Sequence, residues 1–298
     1  MDDRAGTHIS ESLDELVTEA GGTAAVDYEL RPTVELVERM SAEEATVPPA
    51  VRAAAREIAN AIDAVTERLA HGGRLVYVGA GTSGRLAQLD AEECRTTFSA
   101  RPGQVLALVT GDESTEDDHA GGAAAVREAA VTADDAVVAI SASGRTPYVA
   151  GALEAASDAG ALTVALVCVA ESELTARADY PIAVVVGAEF IAGSTRLKAG
   201  TAQKLVLNAI STISMIRLGK TFGNLMVDVA PGNEKLRARV QRIVRTATGA
   251  SQSEVEAALE AADGEAKVAI VSLLGDVDAQ TARSRVRKAN GNVRLALR

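Results

Sequence analysis

Tryptophan is absent, and three phenylalanines with four tyrosines bring the aromatic share to only 2% of 298 residues. The hydrophobic fraction is nevertheless 47%, enough for a full core, so that core must be aliphatic, built from Ala, Val, Leu and Ile. Cysteine is equally scarce: Cys94 and Cys168 stand alone, with no CxxC pair. This argues against a disulfide framework and against a zinc cluster. Cys168, inside Ala165-Leu166-Val167-Cys168-Val169, reads as a buried strand residue. No uncharged apolar stretch approaches the roughly 18 residues of a membrane-spanning helix. The acidic start Met1-Asp2-Asp3-Arg4 lacks the apolar core of a signal peptide, so a cytoplasmic location is expected by default. Positive charge is short too: 30 Lys and Arg face 41 Asp and Glu, a formal net charge of −11. That excess argues against nucleic acid and anionic membrane as partners and favours solubility. A small anionic substrate stays possible, because local N–H groups and arginines override a distant field.

What the chain does have is a repeating order of short apolar runs and helical stretches. Residues 1 to 30 are polar and mixed and read as an arm or a short helix. Helical spacing follows over Thr33 to Met40 and Pro49 to His71, with Ile58, Ile62, Val65 and Leu69 on one face and Gly72-Gly73 as its stop. The apolar runs are Leu75–Val78, Val105–Val109, Ala136–Ile140, Leu162–Val169 and Ile182–Val186. Helical stretches over Leu86–Cys94, Ala120–Val131 and Pro147–Ala159 separate most of them. Apolar runs without alternation, spaced by helices, predict an α/β fold: a doubly wound parallel sheet covered on both faces. After Val186 a long helix runs to about Leu218, apolar on more than one face and suited to burial or a subunit contact. From about Thr246 a helical trio follows, opened by the capping-box spacing Ser251-Gln252-Ser253-Glu254. The expected organisation is an N-terminal helical arm over 1–55, the α/β domain over 56–245, and a small C-terminal all-helical subdomain over 246–298.

Two turns carry the chemistry. One is Gly79-Ala80-Gly81-Thr82-Ser83-Gly84-Arg85, after Val76-Tyr77-Val78; the other is Ser141-Ala142-Ser143-Gly144-Arg145-Thr146-Pro147, after Val137-Val138-Ala139-Ile140. Each lies where a strand empties into a helix N-terminus, a place where free N–H groups and the helix dipole attract an anion. Glycine permits close backbone approach and the hydroxyls add donors. The first turn matches the dinucleotide pattern GxGxxG, but that pattern expects an acidic residue roughly 20 residues on. Asp112 and Glu113 come later than that, and the second turn would be left without a use. A phosphorylated sugar held between the two turns accounts for both.

The Ser141-x-Ser143-Gly144-x-Thr146 pattern resembles the sugar isomerase (SIS) phosphosugar-binding domain. The wider text is more specific. Gly79 to Leu86 with Leu89-Asp90-Ala91-Glu92-Glu93-Cys94, Ala142 to Val149, Val186-Gly187-Ala188-Glu189, Gly193-Ser194-Thr195-Arg196-Leu197-Lys198 through Asn208, and Gly223-Asn224-Leu225-Met226-Val227-Asp228-Val229 together resemble the N-acetylmuramic acid 6-phosphate etherase family. The likeness extends over nearly the whole chain. Two departures stand out: the family's Pro-Pro after Glu-Cys is Arg95-Thr96 here, and the stretch between Val109 and Val137 is shorter.

The resemblance implies an SIS-type sheet, a UBA-like helical tail, a homodimer, no cofactor and no metal. It also implies a lyase that removes D-lactate from C3 of N-acetylmuramic acid 6-phosphate by elimination and water addition, leaving N-acetylglucosamine 6-phosphate. Carried over by motif, Glu93 would protonate the departing lactyl oxygen. Glu116, in Thr115-Glu116-Asp117-Asp118, would be the base or its partner. Ser141, Ser143 and Thr146 would hold phosphate, with Thr82 and Ser83 near the sugar. Glu189, Ser194 and Lys198 would assist substrate binding, with Arg196 as a further cation. Two other functions remain open: a non-catalytic phosphosugar sensor, as in the related glucokinase regulatory proteins, and an aldose–ketose isomerase.

Overall fold

The strands form where the unbroken apolar runs stand, and their order along the sheet decides where a ligand can sit. The computed structural model describes residues 27–110, 113–229 and 234–298; the expected arm before residue 27, and Asp112, lie outside them. The chain divides into two compact units: the described part of Met1–Ala91 with Leu106–Ile210, and Glu92–Val105 with Ser211–Arg298. The second unit thus takes in chain well before residue 246.

In the first unit, α1 (Thr33–Glu44), α2 (Val47–Ala53) and α3 (Ala55–Ala70) precede β1 (Leu75–Gly79). α4 (Gly81–Phe98), β2 (Val105–Val109), α5 (His119–Glu128), β3 (Ala136–Ile140), α6 (Pro147–Asp158), β4 (Leu162–Val167), α7 (Glu173–Arg177), β5 (Tyr180–Ala183) and α8 (Lys198–Arg217) follow, α4 and α8 continuing into the second unit. The sheet order is β2-β1-β3-β4-β5, with β1–β3, β3–β4 and β4–β5 all parallel. Every residue of β1, β3 and β4 is buried, as expected of a sheet covered on both faces. Val76, Val78, Val137, Ala139, Val149, Leu153, Ala165 and Val167 meet in one aliphatic cluster. Tyr77 is fully buried and its hydroxyl donates to Asp90 at 2.8 Å.

Three details differ from the sequence expectation. The stretch from Pro49 to His71 is two helices, because Ala54 leaves helical geometry between α2 and α3. The last strand starts at Tyr180-Pro181 rather than Ile182. A proline is tolerated there because β5 is the sheet edge. The helical tail contains more than a trio. β6 (Thr221–Phe222) and β7 (Leu225–Met226) form a hairpin, and α9 (Glu234–Thr248) precedes α10 (Gln252–Ala261), α11 (Ala266–Gly275), α12 (Ala279–Lys288) and α13 (Val293–Ala296). Val240, Ile243 and Val244 of α9 join Val255, Leu259, Val268, Ile270 and Val293 in the second unit's core. The Ser251–Glu254 capping box is formed. Asp228 pairs with Lys220 at 2.6 Å and Lys267 at 3.1 Å, tying the chain after the hairpin to α11. Among the described residues, no helix is long and apolar enough to cross a membrane.

Candidate functional site

β1 and β3 are neighbours, with Gly79 opposite Ile140. From β1 the chain leads to β2 on one side; from β3 it leads to β4 on the other. This divergence is the topological switch point of a doubly wound sheet, where the carboxyl ends of two strands open a crevice. Both hydroxyl-rich turns leave from that point.

In the turn after β3, Ser141 is buried and Ser143 and Thr146 are half-buried. The Ser141 hydroxyl lies 2.9 Å from that of Thr146 and 3.4 Å from that of Ser143. The Gly144 N–H donates to Ser141 Oγ at 3.0 Å. Ser141 N–H donates to Leu166, and Cys168 N–H to Ala142, so the turn is pinned to the end of β4. Thr146 occupies the N-cap position of α6, yet its side chain makes no capping bond. Its hydroxyl turns to Ser141 instead. The three hydroxyls therefore form a cluster of donors at a helix N-terminus, not a row of helix caps.

In the turn after β1, Gly81 adopts φ +53°, and a Cβ there would lie 2.7 Å from Oε1 of Glu116. Only glycine combines this left-handed backbone with so close a carboxylate. The Glu116 carbonyl accepts from the Tyr148 N–H at 3.0 Å, so the same residue also touches the start of α6. The helices that flank it are locked: a Cβ on Gly122 would overlap the Tyr148 carbonyl, and one on Gly151 the His119 carbonyl. Glu116 is thereby placed between the turn after β1 and the start of α6. Ser83, one residue past Thr82, is buried and donates to Gln203 Oε1 at 3.0 Å. Thr82 lies with its methyl near Gly200 of α8.

The other expected residues are Glu93 on α4, and Glu189, Ser194 and Lys198 at and before the start of α8. Glu93 is exposed on α4, about three turns beyond Ser83 along the helix. Glu189 is buried, and its two carboxylate oxygens accept from the N–H groups of Lys198 at 2.9 Å and Ala199 at 3.0 Å. It holds the N-terminus of α8, where an anion offsets the helix dipole. The Lys198 ammonium, largely buried, pairs with Glu43 of α1 at 3.7 Å. Glu189 and Lys198 thus each have a partner within the protein. Ser194 is half-buried in the loop before α8; its carbonyl accepts from the Leu197 N–H. Nearby, burial pushes the Cys168 thiol up to about 12, helped by the Glu189 charge.

Sequence reasoning missed Gln203 as a partner of Ser83. The signal was present: a polar side chain on the face of α8 that carries Ala199, Ala202, Val206, Leu207 and Ile210, all buried.

The glucokinase regulatory protein N-terminal SIS domain matches residues 57–157, and the SIS domain matches residues 118–213. A solved structure from Listeria monocytogenes, named as a candidate sugar-phosphate isomerase, shares the fold with a TM-score of 0.50. It covers 66% of this chain and 95% of its own at 16% identity. Much closer in sequence are the N-acetylmuramic acid 6-phosphate etherases of Streptomyces avermitilis, 53% identical over 97% of this chain and 96% of theirs, and of Rubrobacter xylanophilus, 54% identical over 97% and 98%. Identity at that level along almost the entire length, on a sheet whose switch point carries the family's two turns, places this chain in the N-acetylmuramic acid 6-phosphate etherase family.

Proposed function

We propose that the chain cleaves the D-lactyl ether of N-acetylmuramic acid 6-phosphate, giving N-acetylglucosamine 6-phosphate and D-lactate. Membership of the etherase family supports this reading. The observation that carries it in the structure is the carboxylate of Glu116 held against Gly81, beside the hydroxyl cluster of the neighbouring strand. In this assignment Ser141, Ser143 and Thr146 bind the phosphate, and Thr82 and Ser83 face the sugar. Ser194, Glu189 and Lys198 belong to the proposed substrate-binding set on the family resemblance.

An alkoxide is a poor leaving group, so direct hydrolysis of the ether is unfavourable. Opening the sugar ring exposes the C1 aldehyde and acidifies the C2 proton. Glu116 takes that proton, and the electron pair forms the C2–C3 double bond. The C3–O bond breaks as Glu93 gives its proton to the lactyl oxygen. Water then adds across the conjugated double bond, hydroxyl to C3 and proton to C2. Two carboxyl groups suffice for these transfers, and neither a metal nor a redox cofactor is required. We further propose that the working form is a homodimer in which a twofold partner completes the pocket. Leu89 on α4 and Leu205 on α8 are exposed at 44% and 36%, apolar positions that such a partner would cover.

The test is release of D-lactate from N-acetylmuramic acid 6-phosphate by the purified chain, without added metal or nucleotide. Stoichiometric lactate supports the etherase. The match to the glucokinase regulatory protein domain favours one other reading, a sensor. Thermal stabilisation by the sugar phosphate with no lactate would establish that instead. Ser143→Ala is expected to raise KM about tenfold, the loss of one charge-assisted hydrogen bond; an unchanged KM would remove Ser143 from the phosphate site.

A further inference from the structure

Gln203 is 1% exposed on the inward face of α8. Its Oε1 accepts from the Ser83 hydroxyl, while its Nε2 is buried without a hydrogen-bond partner. A buried amide with an unmet donor destabilises the fold, and an apolar side chain of equal volume would fill the space without that cost. Gln203 therefore sits where packing alone does not favour it, and the bond it does make is to the turn at the switch point. A serine hydroxyl has one hydrogen and two lone pairs. With the hydrogen given to Gln203, Ser83 has only lone pairs left for the crevice. It then suits an N–H or O–H of a ligand and is poorly suited to a phosphate oxygen.

We propose that Gln203 is a positioning residue that commits the Ser83 hydrogen inward and so makes Ser83 an acceptor for a donor group of the substrate. This rests on the etherase reading, in which an acetamido N–H and sugar hydroxyls supply such donors. The two turns then divide the work. The Ser141, Ser143 and Thr146 cluster donates to the phosphate, and Ser83 accepts from the sugar. Gln203 acts only through Ser83.

Four variants test this: Gln203→Met, Gln203→Glu, Ser83→Ala, and the Gln203→Met/Ser83→Ala double. Each is measured for kcat, KM and melting temperature in the lactate assay. Gln203→Met preserves volume and removes the unmet donor, so its melting temperature is expected to equal or exceed that of the wild type. Its KM is expected to rise about tenfold, the scale of one hydrogen bond, with kcat nearly unchanged. Ser83→Ala should match it, and the double variant should be no worse than either single one. Gln203→Glu keeps an acceptor in the same place. It should restore KM to near the wild-type value even though a buried carboxylate lowers the melting temperature. A merely structural role would make activity follow stability, the reverse order.

A wild-type KM in Gln203→Met, or effects that multiply in the double variant, would overturn the proposal. If Gln203→Glu does not fold, the three remaining variants decide through their coupling. Should the wild type bind N-acetylglucosamine 6-phosphate but release no lactate, the etherase reading fails by itself. The same coupling is then read from the Kd for that ligand.

Discussion

Gly81→Ala isolates the carboxylate of Glu116 without touching it. The new methyl carbon would stand 2.7 Å from Oε1 of Glu116, and an ordinary contact requires the carboxylate to retreat by about 0.7 Å. A second cost comes from the backbone, since φ is +53° and a left-handed residue with a side chain costs about 1–2 kcal/mol. Gly72→Ala separates the two effects. Gly72 has φ +97° and open space around its missing Cβ, and it lies before β1, at the other end of the strand from the crevice. Both variants should lose a few degrees of melting temperature, since 1 kcal/mol moves a chain of this size by roughly 2–4 °C. Only Gly81→Ala should lose turnover, by about 10- to 100-fold, because a misplacement near 1 Å in a reacting group costs on that order. The assay is lactate release alongside thermal unfolding. If Gly81→Ala keeps a kcat within twofold of Gly72→Ala, the Glu116 carboxylate is not working from where the structure holds it.

Glu93→Gln should abolish lactate release while thermal stabilisation by the sugar phosphate survives; near-normal turnover would free Glu93 of its assigned role. Arg74 meets Asp135 through Nη2 at 2.7 Å and Nε at 3.1 Å. Burial pushes the Asp135 carboxyl up, but hydrogen bonds from Arg74 and from the Thr132 N–H outweigh it and hold the carboxyl below its usual range. A lowered carboxylate stabilises the fold fully above its unfolded value, about 3.9, and this contribution disappears as pH falls through the lower folded value. Asp135→Asn should therefore flatten the acid limb of a stability–pH curve below about pH 4; an unchanged limb would refute the assignment. Cys94 and Cys168 are both buried, and burial pushes the Cys168 thiol up to about 12. Neither should react with an aromatic disulfide reagent at pH 8 until the chain is unfolded, and fast labelling of the native protein would contradict their burial.

The sheet was legible because its signal is local. Val105–Val109 and Ala136–Ile140 coincide with β2 and β3; β3 is buried on both faces and so is apolar throughout, while β2, at the sheet edge, is apolar but only partly buried. The site was legible only in part. The hydroxyl cluster of Ser141, Ser143 and Thr146 comes from one short segment, and its motif is visible in the text. The contacts of the candidate site join distant segments: a bond from Ser83 to Gln203, a bond from the Tyr148 N–H to Glu116, and the close approach of the Glu116 carboxylate to Gly81. Nothing in the spacing of Glu116 distinguishes it from Asp117 or Asp118; the packing of α5 on α6 does. The α9 helix escaped notice for a different reason. Its apolar positions Val240, Ile243 and Val244 are diluted by arginines 237, 239, 242 and 245, so only the core they share with α10 and α11 makes them stand out.

The change from the family's Pro-Pro to Arg95-Thr96 has a backbone meaning. Proline supplies no N–H, and it disfavours helical geometry in the residue before it. Two prolines directly after Cys94 would thus end or bend a helix at that point. In this chain α4 continues unbroken through Arg95 and Thr96 to Phe98, and the Thr96 hydroxyl donates to the Glu93 carbonyl at 3.1 Å. That bond ties the second residue of the departure back onto the turn bearing Glu93. The backbone of Glu93 is accordingly held by a regular helix that the prolines would have interrupted. Glu93 itself is exposed, while Cys94 beside it is buried. The substitution therefore acts on how firmly Glu93 is presented, not on which group is presented. On the proposed assignment, with Glu93 as proton donor and the hydroxyl cluster as phosphate site, its effect is expected in kcat more than in KM.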